Sequence, residues 1–309
     1  MSMNRIAVVI LNYKTPDLVL EGLASLRAEL GPRDAVVVVD NQSGDGSLER
    51  IRAGIEARNL THLGVQLVQS PVNGGFSAGN NLGVRSVTAE AYLLLNSDAA
   101  LRPGALETLW AALNAAPDVG LVGPRLVAPD GTEQRSCFRR HTPVSELLLA
   151  AKTGPLDRAL GRFLVPIPHD DPAFAAPEWV SFAAVLIRAA VFEQVGLLDD
   201  GFFMYYEDVD YCLRARAAGW AIRHEPRAEV VHLHAASSMM EALGKARRRR
   251  PRYYYAARRR YFDKTFGRGG ALLANALWTV GRGIAWAREL VGNKRPHAVE
   301  GELVDNWTG

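Results

Sequence analysis

The 309-residue chain has only two cysteines, Cys137 and Cys212. They lie far apart and form no CxxC pair. This excludes a disulfide scaffold and a cysteine-rich zinc site, and it points to a reducing compartment. No apolar run reaches the roughly 20 residues that cross a bilayer. The run from Ile6 is short and ends in Leu11-Asn12-Tyr13, so no signal peptide is expected. The N-x-S/T triplets at Asn41, Asn59 and Asn306 therefore carry no glycosylation signal. No GxGxxG follows the first apolar run and no GxxxxGK occurs, which disfavours a dinucleotide fold and a P-loop. A nucleotide, if bound, would be held mainly by side chains. Internal repeats are also missing.

What is present is ordinary for a globular protein: 48% hydrophobic and 22% charged residues. The length suits one large α/β domain with an appendage. The charge is uneven. From Lys245 to Arg268 there are eleven Lys or Arg and one acid, a net +10 against +3 for the whole chain, which leaves −7 elsewhere. A basic segment on an acidic body suggests an anionic partner: a membrane surface, a lipid diphosphate or a nucleic acid.

The first half alternates. Apolar, β-branched runs at 5–13, 35–41, 65–70 and 91–98 predict strands, and the stretches 17–30, 46–59, 78–88 and 104–116 predict helices between them. Near-continuous apolar strands alternating with helices predict a mainly parallel, twisted sheet covered on both faces. Residues 121–132 read as a strand and turn, 179–188 as a buried strand and 228–234 as another strand. The Pro-, Arg- and His-rich stretch 137–178 reads as a loop-heavy excursion. In 271–291, Leu273, Leu277, Val280, Ile284, Ala287 and Val291 share one helix face. Trp278, Arg282 and Trp286 fall on the other side, as in an interfacial or dimerising helix, or equally in a helix packed on the body. The pattern divides the chain into 1–244 and a basic, helical extension over 245–309.

In an open parallel sheet, ligands bind outside the carboxyl ends of the strands. Three runs end there in polar residues: Asn12-Tyr13, Asp40-Asn41 and Asn96-Ser97-Asp98. A lone strand-end Asp is often only a turn residue; three in successive units point to a site. The stretch NGGFSAGNNLG (73–83) contains Asn73, Gly75, Phe76, Asn80 and Asn81, with Ser77 as a candidate helix cap. Glycines admit close backbone approach and asparagines both donate and accept. Asp98 can hold a divalent cation through oxygen, with phosphate oxygens and water completing the shell. In FFMYYEDVDYCLR (202–214), a helix from Glu207 puts Val209, Cys212 and Leu213 on its apolar stripe. Glu207, Asp210 and Arg214 then fall opposite, away from the core, and Asp208 lies at the edge of the stripe. All three acids suit a helix N-terminus; a half-buried Asp208 also suits a general base for an alcohol. On the last strand His232 and His234 share a face, as a two-histidine metal site would, or one ligand and one spectator, with His232 favoured as the ligand.

The ordered set VVILNY, VVVVDNQSGDGS, NGGFSAGNNLG, LLLNSDA, FFMYYEDVDYCLRARAAGW and VVHLHAASS resembles family 2 glycosyltransferases, nearest the bacterial rhamnosyltransferase-like branch that builds cell-surface polysaccharides. It covers about residues 5–240. The resemblance implies a GT-A nucleotide-diphospho-sugar transferase fold and an inverting mechanism with Mg2+ or Mn2+. It implies that Asp40 contacts the nucleoside, with Asn12, Tyr13 and Asn41 beside it. Asn73, Gly75, Phe76, Asn80 and Asn81 would line the donor pocket, followed by Asn96 and Ser97. Asp98 and His232 would hold the metal, and Asp208 would be the base. Asn96 stands where a strict DxD has its first acid, which leaves the metal fewer anionic ligands.

The expected donor is a nucleotide-diphosphate sugar such as dTDP-L-rhamnose, and the acceptor a saccharide or lipid-linked saccharide. The expected setting is cytoplasmic, with peripheral contact at the inner face of the cytoplasmic membrane and a homodimer through the C-terminal helices as further options. A sugar nucleotidyltransferase is the alternative enzyme, but its glycine-rich first loop is missing after VVILNY. Nucleic-acid binding by the Arg/Tyr-rich 245–268 ranks below lipid headgroup or diphosphate binding and below a merely solvated helix face. No nucleic acid is expected as a partner.

Overall fold

The computed structural model describes residues 3–233, 242–292 and 299–308. Along the chain, β1 (Asn4–Asn12) leads to α1 (Pro16–Ser25), β2 (Ala35–Asp40), α2 (Ser47–Ala57), β3 (Gln66–Gln69), α3 (Gly75–Arg85) and β4 (Ala89–Asn96). Next come β5 (Ala99–Leu101), α4 (Ala105–Leu113), β6 (Val119–Val127), β7 (Glu133–Gln134) and β8 (Cys137–Phe138). Helices α5 (Pro143–Ala151) and α6 (Gly154–Ala159) precede β9 (Trp179–Val180), β10 (Ala184–Arg188), α7 (Ala189–Val195) and α8 (Glu207–Ala217). The chain continues through β11 (Ala221–His232), α9 (Arg252–Phe266), α10 (Gly270–Val291) and α11 (Glu302–Thr308). It forms two compact units. The first holds Met1–Phe138, Pro168–Phe203 and Glu207–Ala235; the second holds Arg139–Ile167, Met204–Tyr206 and Ala236–Gly309.

The first unit is built on a nine-stranded sheet ordered β3-β2-β1-β4-β10-β6-β11-β5, with β7 also on β6. The half made of β3, β2, β1 and β4 is parallel. In the other half β10 runs antiparallel to β4 and β6, and β5 antiparallel to β11, so the sheet as a whole is mixed. Ile6, Ala7, Val8, Val9 and Ile10 of β1 are all fully buried, as a strand covered on both faces requires. Each large apolar side chain so buried contributes about 1.5–3 kcal/mol relative to exposure.

Helix α3 lies unusually close to β1. A Cβ on Gly79 would stand 2.3 Å from Leu11, and one on Gly83 2.3 Å from Val9. Two of the glycines in NGGFSAGNNLG thus serve helix-on-sheet packing. Ser77 does not cap the helix: α3 starts two residues earlier, with Gly74 in the cap position, and Ser77 is fully buried. The last strand also differs from expectation. It starts at Ala221 and not at 228, and a register shift between Glu225 and Glu229 carries it along β6.

The stretch read as loop-heavy contains two helices of the second unit. Helix α5 begins at a capping box in which the Thr142 hydroxyl accepts from the Ser145 amide and Pro143 sits in the first turn. The Glu146 carboxylate pairs with Arg258 of α9 at 2.9 Å, and both are almost fully buried. Arg258 also donates to Asn275 of α10. Helix α10 does not turn the expected face inward; the buried face is rotated to the small residues, and of the two tryptophans only Trp286 is exposed as expected. Trp278 is buried, whereas Leu273, Val280 and Val291 are exposed. The reason is close packing on α5. A Cβ on Gly281 would lie 2.4 Å from the Leu147 carbonyl, and Ala274 and Ala285 complete a small-residue face.

Candidate active site

At the carboxyl ends of β1 and β2 the side chains form one hydrogen-bonded hub. Asp40, 2% exposed, accepts from Asn12 Nδ2 at 2.6 Å, from the Ser43 hydroxyl and amide at 2.5 and 3.1 Å, and from Gln69 Nε2 at 2.9 Å. Burial alone would raise the Asp40 pKa. The Ser43, Gln69 and Asn12 hydrogen bonds outweigh it and hold the carboxyl below its ordinary value. The hub extends to β4 through Thr15, which donates to Ser97 Oγ at 3.0 Å and lies 3.2 Å from Asn12 Oδ1. Four protein donors occupy the Asp40 oxygens, so a nucleoside contact there would replace one of them. Tyr13, beside the hub, is exposed and carries the Lys14 ammonium over its ring.

The asparagines of the glycine-rich stretch divide. Asn41 Nδ2 donates to Asn73 Oδ1 and to the Gly75 carbonyl, which ties the β2 end to the loop before α3. Asn80 bonds back to the Phe76 carbonyl. Asn81 is a brace: its amide clamps the backbone of Leu198 with one bond in each direction. Gly75, at φ 83°, lets the loop meet the segment ahead of α8. A Cβ there would sit 2.0 Å from the Phe203 carbonyl, which accepts from the Phe76 amide at 2.6 Å.

Asp98 and His232 come together through pairing of β5 with β11, which sets His232 opposite Ala99. Asn96 ends the adjoining strand, its amide bonded to the Ala183 carbonyl. His232 Nε2 lies 3.4 Å from Asp98 Oδ1, is buried and has no hydrogen-bond partner. The other ring nitrogen lies 3.1 Å from Gln134 Oε1, and Gln134 Nε2 donates to the His232 carbonyl. Since Gln134 Oε1 can only accept, Nδ1 donates to it, which leaves Nε2 as the ring nitrogen that faces the Asp98 carboxylate. That is the arrangement of a metal-binding imidazole with its orienting second partner. A hard divalent cation fits this N,O pair. No cluster of three or more His, Cys, Asp or Glu ligands occurs among the described residues, so further ligands would come from phosphate oxygens and water. His234 lies outside the described residues.

Helix α8 corrects one expectation. Glu207 and Asp210 do not face away from the core: both are buried. Asp210 can be, because Arg214 donates to it at 2.9 Å and also to the Val195 and Leu197 carbonyls. Burial, with the neighbouring Asp208 charge second, raises the Glu207 pKa well above 4.5 and so favours its neutral form. Asp208 is half-buried in the first turn, where its Oδ1 accepts from the Val209 amide at 2.8 Å. The side chains that sequence reasoning missed are Thr15, Ser43, Gln69 and Gln134. Each supports a predicted residue from a distant or irregular position, and none carries a spacing signal.

The parallel βα half-sheet with polar strand ends, the carboxylate-histidine pair and the carboxylate at a helix start sit in an α/β glycosyltransferase fold. The glycosyl transferase family 2 model matches residues 7–173, and a related family group 2 model matches 92–293. The chain belongs to glycosyl transferase family 2 and is a glycosyltransferase. It is similar to the low-salt glycan biosynthesis hexosyltransferase Agl10 of Haloferax volcanii, 27% identical over 68% of this chain and 61% of that protein. It is similar to the N-acetylglucosaminyl-diphospho-decaprenol L-rhamnosyltransferase of Mycobacterium tuberculosis, 27% identical over 75% of this chain and 76% of the other. Its fold is also that of a mannosyltransferase from Pyrobaculum calidifontis in complex with GDP-Man and Mn2+. There the TM-score is 0.60 at 17% identity, over 100% of this chain and 80% of that one.

Proposed function

We propose that the protein is an inverting glycosyltransferase that moves a sugar from a nucleotide-diphosphate donor to a hydroxyl of a saccharide or lipid-linked saccharide, in cell-surface polysaccharide synthesis. L-Rhamnose from dTDP-L-rhamnose is the favoured donor, in keeping with the named activity of the mycobacterial relative. The observation that carries the reading is the buried, unpartnered His232 Nε2 aimed at Asp98 and locked by Gln134. When bound there, Mg2+ or Mn2+ would neutralise charge on the leaving diphosphate. Asn12, Tyr13, Asp40, Asn41, Asn73, Gly75, Phe76, Asn80, Asn81, Asn96 and Ser97 frame the donor site, either by contact or by holding its loops. Asp208 takes the proton of the acceptor hydroxyl. The acceptor oxygen then bonds to the anomeric carbon as the bond from that carbon to the phosphate oxygen breaks, and the nucleotide diphosphate leaves with the electron pair.

Catalysis is assigned to 1–244 and attachment to the extension 245–309, with action on the cytoplasmic side of the membrane. A thermal-shift panel of nucleotide sugars, with and without Mn2+, tests the reading. Stabilisation by one nucleotide sugar in the presence of Mn2+ is expected; no response to any nucleotide diphosphate would refute it.

A further inference from the structure

Helix α10 is 22 residues long and so about 33 Å in length at 1.5 Å per residue. Its outward arc carries Leu272, Leu273, Val280, Trp286, Leu290 and Val291, all more than half exposed, and no charged residue. Arg282 and Arg288 lie at its two edges in helical projection, Arg288 donating to the carbonyls that end α5. Helix α11 extends the surface. Trp307 donates to Thr279 of α10 and is exposed, as are Leu303 and Val304 on the same side of α11. A contiguous apolar surface of this extent is a binding face and not incidental exposure.

Charge decides between occupants. The acids of these two helices are turned inward: Glu289 pairs with Arg282, Glu302 with Arg250 and Asp305 with Arg249. Those last two pairs tie α11 to the segment leading into α9; Lys245, Arg247 and Arg248 on that segment and Arg252, Arg260 and Lys264 on α9 are exposed. A second copy laid on this face would bring two such basic segments together, and like charge opposes that. An anionic lipid surface complements both features, apolar side chains for the acyl boundary and cations for the headgroups. Tryptophans suit the same boundary. No helix among the described residues is long and apolar enough to cross a membrane, so α10 would lie along the surface.

We propose that the second unit docks in-plane on an anionic membrane through the outward faces of α10 and α11, with the exposed basic residues of 245–264 on the headgroups. This rests on and deepens the reading of a lipid-linked acceptor by naming the surface that brings enzyme and acceptor together. The test is flotation of the full chain with phosphatidylcholine vesicles, with and without phosphatidylglycerol. Wild type is expected to float with the anionic vesicles and to be released by high salt. The double variant W286E/L290E, altered only at exposed positions, should lose about tenfold or more in partitioning with its melting temperature kept. Failure of wild type to float on anionic vesicles overturns the proposal. So does a dimer in light scattering that W286E/L290E converts to monomer, since that assigns the face to a second copy. Nucleotide-sugar stabilisation, measured on the same variant, is expected unchanged, which separates loss of docking from failure of the enzymatic reading.

Discussion

Asp208 and Glu207 are adjacent carboxyl groups with opposite settings. Asp208 is half-buried and held by the Val209 amide; Glu207 is buried, and burial pushes its pKa up. Asp208→Asn is expected to lower sugar transfer by about 10²–10⁴-fold while leaving nucleotide-sugar stabilisation intact, as read by a transfer assay beside thermal shift. For Glu207 the sign follows from linkage. Its folded-state pKa lies above the unfolded value, so the native state holds the extra proton and stability falls as pH rises above about 4.5. Glu207→Gln should therefore raise the melting temperature near neutral pH, and the gain should vanish below that value. Gln134→Leu leaves both proposed metal ligands in place but frees the imidazole. Mn2+ affinity in the presence of nucleotide diphosphate, followed by calorimetry, is expected to fall about 10–100-fold. At this scale the sequence singled out Asp98, His232 and Asp208 by residue type beside an apolar run. It could not assign Glu207 and Asp210 their burial. A helical projection ranks faces by polarity, and Arg214, held by the carbonyls of Val195 at the end of α7 and Leu197 just after it, provides a polar lining for Asp210 inside the core.

Helices and strands in the first half follow their periodicity closely, because β1, β2 and β4 are buried on both faces and β3 forms the sheet edge. Helix α3 shows what the pattern hides. Its glycines read as ligand-facing, yet Gly79 and Gly83 sit against Leu11 and Val9. Gly79→Val is expected to cost about 1–3 kcal/mol by overpacking, measurable in urea unfolding. Gly75→Ala should act differently: its positive φ and the Phe203 carbonyl leave no room for a methyl, so the junction between the loop and the segment ahead of α8 would shift. Helix α10 shows the reverse case. Its apolar period is real, but small residues win the inward face because they let two backbones approach, and the large apolar residues are left outside.

The two compact units differ in how they are held together. The first rests on an apolar sheet core, whereas the second contains a buried ion pair, Glu146 with Arg258, whose partners come from segments more than a hundred residues apart. No local pattern marks such a pair, which is why 137–178 read as loop. Removing one member strands the other: Glu146→Ala is expected to destabilise the second unit by about 3–5 kcal/mol, seen as a lowered unfolding midpoint. For the molecule as a whole, the central claim is that the Asp98–His232 pair and a bound divalent cation hold the diphosphate of a sugar donor. Calorimetric titration with dTDP, with and without Mn2+, on wild type and Asp98→Asn tests it most directly. Binding that requires Mn2+ in wild type and is lost in Asp98→Asn is expected; dTDP binding that is indifferent to both Mn2+ and Asp98 would contradict it.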